Sequence, residues 1–249
     1  DAPQGSKGIS MFIVPKYIVK SDGSLGDRNN ISTISIEKKM GIKGSPTCAL
    51  SLEESQGYLL GQPNKGLSAM FTMMNLERLV VGIQGLGLGE IAYQNALSYS
   101  KERLQGRSPS GTKFPDKSAD PLICHPDISK SLLTIKVFNE GCRALVSLVA
   151  QQVDIMSSHP NNQNRHDARE FVALMTPIIK AFLSDLGFEV TNLALHIWGG
   201  HGYIQDNELE QFTRDAKITQ IYEGTNGIQA LDLVTRKISA NNGRDVEKV

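Results

Sequence analysis

The chain has 249 residues, of which 40% are hydrophobic and 21% are charged, a mix that excludes disorder as the main state. Basic and acidic residues both number 26, and the resulting zero net charge argues against nucleic-acid binding through bulk positive charge. Three scattered cysteines are too few for a disulfide framework or a zinc site. We therefore expect a reducing compartment, no metal site, no nucleic-acid partner and, because no apolar run of 18 residues occurs, no membrane span.

Residues 1–62 have the pattern of β-strands. Short apolar or alternating segments predict strands at 9–14, 33–37, 48–52 and 58–60. Asp22-Gly23 and Gly26-Asp27 predict turns. Three or four strands make a poor sheet by themselves, so we expect partner strands upstream and a chain that is part of a longer protein.

From about residue 63 the pattern becomes helical. The proline-free stretch Gly66–Arg103 predicts one long helix, and Pro126 begins a second that ends near His159. A third helix, with a kink near Pro177, ends at Gly199 and is expected to bury these residues: Phe171, Leu174, Ile178, Phe182, Leu186, Val190, Leu193 and Ile197. A shorter helix follows Thr225 to about Ile238, so the pattern predicts a helix bundle, and the polar residues 240–249 are expected to fray.

Glycines interrupt the first long helix at positions 82, 85, 87 and 89. A dinucleotide fingerprint requires a preceding strand, which is absent here. Close approach of a neighbouring helix is the favoured interpretation, and close approach of a ligand stays open.

Three short motifs could carry chemistry. Glu223 precedes Gly224 and the predicted N-cap Thr225, so it either complements the helix dipole or acts as a general base on a turn. The adjacent pair Glu77 and Arg78 lies among apolar residues, on either a solvated helix face or a cleft. Gly199-Gly200 either caps a helix or exposes backbone to a ligand.

Taken together, six motifs in this order resemble the C-terminal half of acyl-CoA dehydrogenases. They are Met40-Gly-Ile-Lys-Gly-Ser-Pro-Thr, Leu76-Glu-Arg-Leu, Tyr99-Ser-Lys-Glu-Arg, Trp198-Gly-Gly-His-Gly-Tyr, Arg214-Asp-Ala-Lys-Ile and Ile221-Tyr-Glu-Gly-Thr. The segments 7–16 and 125–127 are most similar to the larger bacterial subgroup that includes 3-methylmercaptopropionyl-CoA dehydrogenase.

The resemblance implies a mainly α fold, with the end of an incomplete β-barrel domain over 1–62 and a C-terminal four-helix bundle over 63–249. It implies an FAD-dependent α,β-dehydrogenation of an acyl-CoA thioester, with electrons passed to an electron-transferring flavoprotein. It also implies a homodimer or homotetramer in the bacterial cytoplasm, and a fragment that is inactive alone. An acyl-CoA oxidase and a nucleic-acid-associated member of the superfamily are the alternatives.

The resemblance also assigns roles to individual residues. Glu223 matches the catalytic base, and Glu77 stands where some relatives carry the base instead; the intact Tyr222–Thr225 motif favours Glu223. Arg78 and Gly224 match substrate contacts. The matches to FAD contacts are Arg103, His196, Gly199, Gly200, Thr225 and Asn226. Many members have Gln where this chain has His196 and Gly227.

Overall fold

The computed structural model describes residues 2–243 and 246, in two units, Asp1–Leu76 and Glu77–Val249. Six short strands occupy the first unit: β1 Met11–Ile13, β2 Tyr17–Val19, β3 Leu25–Arg28, β4 Ser32–Ile36, β5 Cys48–Ser51 and β6 Tyr58–Leu60. They form three antiparallel pairs, β1 with β6, β2 with β3, and β4 with β5. A two-stranded ribbon cannot bury both faces, and apolar side chains such as Phe12, Ile34 and Leu50 are exposed.

The hairpin β2–β3 was not predicted. Its turn lies at Asp22-Gly23 as expected, with Gly23 at φ 82° and the Asp22 carboxylate accepting from the Ser24 N–H at 2.9 Å. The prediction of a second turn at Gly26-Asp27 was wrong, because both residues lie within β3. A Cβ on Gly26 would stand 2.9 Å from the Ile18 carbonyl oxygen, so glycine here permits the close approach of β2.

Among the described residues, five α-helices follow: α1 Gly66–Glu102, α2 Pro126–Ser158, α3 Asn162–Trp198, α4 Leu209–Thr219 and α5 Asn226–Asp232, the last continued by a π-helical turn Leu233–Lys237. The predicted mainly helical fold is confirmed, and α3 continues through Pro177. The amphipathic helix α4 was missed because its short, charged segment shows too few apolar repeats to stand out. Much of the predicted frayed end, 240–249, falls outside the described residues.

The core of the second unit lies between α1, α2 and α3. One cluster contains Leu86, Val149 and Ile179, and another contains Ala96, Ile135 and Val190. The predicted face of α3 was partly wrong, since Phe182 is 49% exposed while its neighbour Leu183 is buried.

Three of the four glycines in α1, Gly82, Gly85 and Gly89, pack closely against neighbouring helices, as favoured. A Cβ on Gly85 would stand 2.6 Å from the Leu183 carbonyl oxygen, and one on Gly187 would stand 2.5 Å from the Gly85 carbonyl oxygen. Helices α1 and α3 therefore cross in backbone contact at this point. Gly87 has no atom within 4 Å of its Cβ position.

One helical stretch, Asn162–Tyr203, is long and apolar enough to cross a membrane by composition. The most apolar 18-residue window in it is 61% buried within the structure. Its apolarity is thus accounted for by its place at the centre of the bundle.

Candidate functional site

The turn between α4 and α5 holds Glu223 in an uncommon backbone conformation. Glu223 is half-buried, has φ 55° and is followed by Gly224 at φ 87°. A left-handed non-glycine residue costs about 1–3 kcal/mol and persists only where its surroundings hold it. A Cβ on Gly224 would lie 2.8 Å from Gln229 Nε2, so this position requires glycine on both grounds.

Two buried side chains hold the carbonyl groups of this turn. Arg78 Nε donates to the Glu223 carbonyl at 3.3 Å, and Gln229 Nε2 donates to the carbonyls of Glu223 and Gly224 at 3.2 and 3.1 Å. Arg78 also faces the buried Asp232 carboxylate at 3.8 Å. The turn that carries the Glu223 side chain is therefore held by hydrogen bonds from Arg78 and Gln229 to its backbone carbonyls.

Tyr222 brings the two candidate carboxylates into one electrostatic environment. Its hydroxyl donates to Gln84 Oε1 on α1. Burial raises the pKa of the Tyr222 phenol, the hydrogen bond to Gln84 lowers it, and the negative charges of Glu223 and Glu77 raise it. Glu223 and Glu77 thus act on the same phenol, although Glu77 is exposed and Glu223 is half-buried.

The start of α5 is capped as predicted and is anchored by residues that sequence reasoning missed. Thr225 is exposed, and its hydroxyl accepts from the Ile228 N–H at 3.4 Å. Asn226 points its amide into the bundle, where it meets Lys180, Ser184 and Asp185 on α3. Lys180 interrupts the apolar face of α3, and this interruption was the available signal for it.

A second group of predicted residues lies where α1 and α3 end. Tyr99 and Trp198 stack with ring centroids 4.1 Å apart, and the Tyr99 hydroxyl lies 3.2 Å from His201 Nδ1. Arg103 follows Tyr99 by one turn, its N–H donating to the Tyr99 carbonyl at 2.8 Å, and is exposed.

This helix-end cluster leaves donors and backbone open. His196 is exposed, with its Nδ1 2.8 Å from the Asn192 carbonyl oxygen, which leaves Nε2 outward. Gly199 and Gly200 are exposed, with no atom within 4 Å of either Cβ position. The Trp198 indole N–H is buried without a hydrogen-bond partner among the described residues. The exposed backbone of Gly199 and Gly200, together with the exposed side chains of Arg103 and His196, suits an elongated anionic ligand such as a pyrophosphate.

The structure does not bring all predicted site residues together in one chain. Arg78 and Arg103 are 25 positions apart along α1 and its end, which is roughly 37 Å at ~1.5 Å per residue. The Glu223 turn and the helix-end cluster are therefore two separate sites. Within residues 2–243 and 246, no group of three or more His, Cys, Asp or Glu side chains is arranged to hold a metal ion.

Comparisons with known proteins show which family this chain resembles. The family model "Acyl-CoA dehydrogenase, C-terminal domain" matches residues 64–238. A 3-methylmercaptopropionyl-CoA dehydrogenase from Ruegeria pomeroyi is 39% identical over 248 residues, covering 100% of this chain and 42% of the relative.

Solved structures agree in fold. Butyryl-CoA dehydrogenase from Megasphaera elsdenii has a TM-score of 0.72 at 29% identity, over 94% of this chain and 53% of that one. An acyl-CoA dehydrogenase from Bacillus anthracis complexed with FAD has a TM-score of 0.76 at 25% identity, over 93% and 39%. The chain spans about two fifths to one half of the length of these proteins.

Proposed function

Because the chain belongs to the acyl-CoA dehydrogenase family, we propose that it forms the C-terminal part of an FAD-dependent enzyme that oxidises the Cα–Cβ bond of an acyl-CoA thioester. The observation that carries this proposal is the Glu223 turn. A carboxylate stands there on a left-handed backbone whose carbonyls are tied to buried Arg78 and Gln229. A fixed, half-buried carboxylate suits abstraction of a weakly acidic proton.

In this proposal Glu223 accepts the α-proton of the thioester. When bound, FAD supplies the acceptor for the hydride that leaves the β-carbon. Arg78 and Gly224 are proposed substrate contacts, and Arg78 also holds the turn through the Glu223 carbonyl. Glu77 is the alternative base, since it acts on the same Tyr222 phenol from α1.

The helix-end cluster supports a place for the FAD pyrophosphate. Arg103 and His196 would supply charge and hydrogen bonds, and Gly199 and Gly200 would supply close backbone. Thr225 and Asn226, at the start of α5, are proposed to contact FAD as well. Since the Asn226 amide is occupied within the bundle, its side chain also has a structural role.

The separation of the two sites supports a dimeric or tetrameric enzyme. One FAD cannot reach both the Glu223 turn and the helix-end cluster of the same chain, but it could join the turn of one copy to the cluster of another. Exposed apolar residues on the second unit offer surface for this contact: Val80, Ile83, Ile228, Leu231 and Val234. The isolated chain is accordingly proposed to be inactive.

We further propose a bacterial cytoplasmic enzyme whose electrons pass to an electron-transferring flavoprotein.

The proposed function is tested by the visible spectrum of the full-length protein, titrated anaerobically with a panel of acyl-CoA thioesters. We expect flavin absorbance that bleaches with at least one thioester and recovers on adding the electron-transferring flavoprotein. Absence of flavin, or flavin that no thioester bleaches, would contradict the proposal, and rapid recovery with oxygen alone would indicate an oxidase.

A further inference from the structure

Lys180 is a buried cation that the proposed chemistry does not use. It lies in the middle of α3 and its side chain is fully buried. Burial of an amine without a purpose is costly, so such a group requires partners. Its Nζ donates to Asn226 Oδ1 at 2.9 Å, across 46 positions of sequence.

The partner, Asn226, is the first residue of α5 and comes three positions after Glu223. Its amide nitrogen donates to Asp185 Oδ1 at 2.7 Å and to Ser184 Oγ at 2.9 Å. Its backbone N–H donates to the Gln220 carbonyl at 3.1 Å, which closes the turn on itself. The exit of the turn is thereby bound to α3 through one side chain.

Three charged groups act on Lys180, and they lie on α3 itself, on α1 and on the Glu223 turn. Burial lowers the pKa of Lys180 to about 8, Asp185 on α3 raises it, Arg78 on α1 lowers it, and Glu223 on the turn raises it. The Lys180 ammonium therefore interacts electrostatically with the Glu223 carboxylate and is hydrogen-bonded to Asn226 at the exit of the same turn.

We propose that Lys180 is a positioning residue, whose ammonium holds Asn226 and thereby fixes the turn that aims Glu223 at its substrate. This rests on the proposed function, in which Glu223 is the base. Arg78 and Gln229 hold the carbonyls at the entrance of the turn, and Lys180 holds its exit. A left-handed Glu223 needs both anchors, because relaxation at either end would release the strained conformation.

The test compares Lys180→Met, Asn226→Ala and the double variant in the full-length protein, with Thr176→Ala as the matched control. Thr176 is a buried residue one turn earlier on α3, and its hydroxyl donates to the Val172 carbonyl of its own helix at 2.7 Å. Readouts are the rate of flavin reduction at saturating acyl-CoA, the thioester concentration at half-maximal rate, FAD content, and hydrogen exchange at residues 223–229.

We expect Lys180→Met to slow flavin reduction roughly 10- to 100-fold, the scale of a small misplacement of a reacting group. FAD content and the half-maximal concentration should change less than about threefold, and exchange should rise at 223–229. The double variant should be no worse than the worse single variant, because the two side chains act as one unit. If Lys180→Met does not fold, Asn226→Ala carries the expectations for rate and hydrogen exchange, but not the one for FAD content, because Asn226 is itself a proposed FAD contact.

Unchanged exchange at 223–229 together with an unchanged rate would overturn the proposal, as would an equal loss in Thr176→Ala. Additive losses in the double variant would also overturn it. Failure of the proposed function is recognised separately, because Glu223→Gln would then leave flavin reduction intact. The exchange measurement would still decide whether Lys180 holds the turn.

Discussion

Arg78 Nε donates a hydrogen bond at 3.3 Å to the backbone carbonyl of Glu223, a residue 145 positions later in the chain. Helix α1 therefore holds the backbone of the candidate base, and this hydrogen bond does not occupy the carboxylate that would accept the proton. The same guanidinium faces the buried Asp232 at 3.8 Å. Arg78 thus couples α1, the turn and α5 at one point.

Arg78 and Arg236 both lie close to the Asp232 carboxylate, and removing Arg78 should destabilise the fold more than removing Arg236. Arg78→Ala leaves the Asp232 carboxylate buried with less compensation, at a cost of about 3–5 kcal/mol in the free energy of unfolding. Arg236 also lies 3.4 Å from Asp232, but its side chain is 72% exposed, so Arg236→Ala should cost less than about 1 kcal/mol. Urea titrations of both variants measure this difference. Equal losses in the free energy of unfolding would show that burial of the Arg78–Asp232 pair adds nothing to its contribution.

Alanine substitutions at two glycines of α1 should change the stability of the fold in opposite directions. Gly85→Ala places a Cβ 2.6 Å from the Leu183 carbonyl oxygen and forces α1 and α3 apart, which costs about 1–3 kcal/mol. Gly87→Ala meets no atom within 4 Å and gains about 1 kcal/mol of helix propensity. Thermal unfolding should show a lower melting temperature for the first variant and a higher one for the second. A stabilising Gly85→Ala would contradict the backbone contact.

The loop between α1 and α2 should lose stability in acid. Asp120 is fully buried and accepts from the N–H groups of Ser108, Lys113 and Phe114. These bonds and the charge of Arg107 lower its pKa from 3.8 to about 2, against the opposing effect of burial. A lowered carboxyl pKa stabilises the fold above pH 4, and the contribution is lost as the pH falls from about 4 to about 2.

Asp120→Asn should therefore be destabilised relative to the wild type at pH 5, with the difference shrinking toward pH 2. The exposed Asp116→Asn is the control and should leave the free energy of unfolding at pH 5 within about 0.5 kcal/mol of the wild type. Urea titrations across this pH range measure both. A constant difference for Asp120→Asn would mean that its carboxylate is not the stabilising form.

The sequence predicted those parts of the molecule that depend on local pattern. The bounds of α1 to α3, the Thr225 cap and the glycine-mediated crossing follow from periodicity, capping and backbone sterics. The motif around Glu223 was visible because its residues are contiguous. Hairpin β2–β3 and helix α4 were missed because short elements carry little periodic signal.

The anchors of the site could not be predicted in the same way. Arg78 was recognised by its motif, but its bond to the Glu223 carbonyl joins two segments that only the fold brings together. Lys180 and Gln229 act through contacts of this kind, 46 and six positions from their partners. The separation of Arg103 from Arg78, in contrast, follows already from the predicted long helix over Gly66–Arg103.

Stopped-flow reduction of the flavin by an acyl-CoA substrate measures whether Glu223 removes the α-proton. In the full-length protein, Glu223→Gln should keep FAD bound and slow flavin reduction by ~10²–10⁴-fold or more, since the amide keeps the shape of the side chain but cannot accept the proton. Glu77→Gln, the matched carboxylate on α1, should mainly weaken acyl binding. A fast Glu223→Gln enzyme beside a silent Glu77→Gln enzyme would contradict this account and assign the proton transfer to α1.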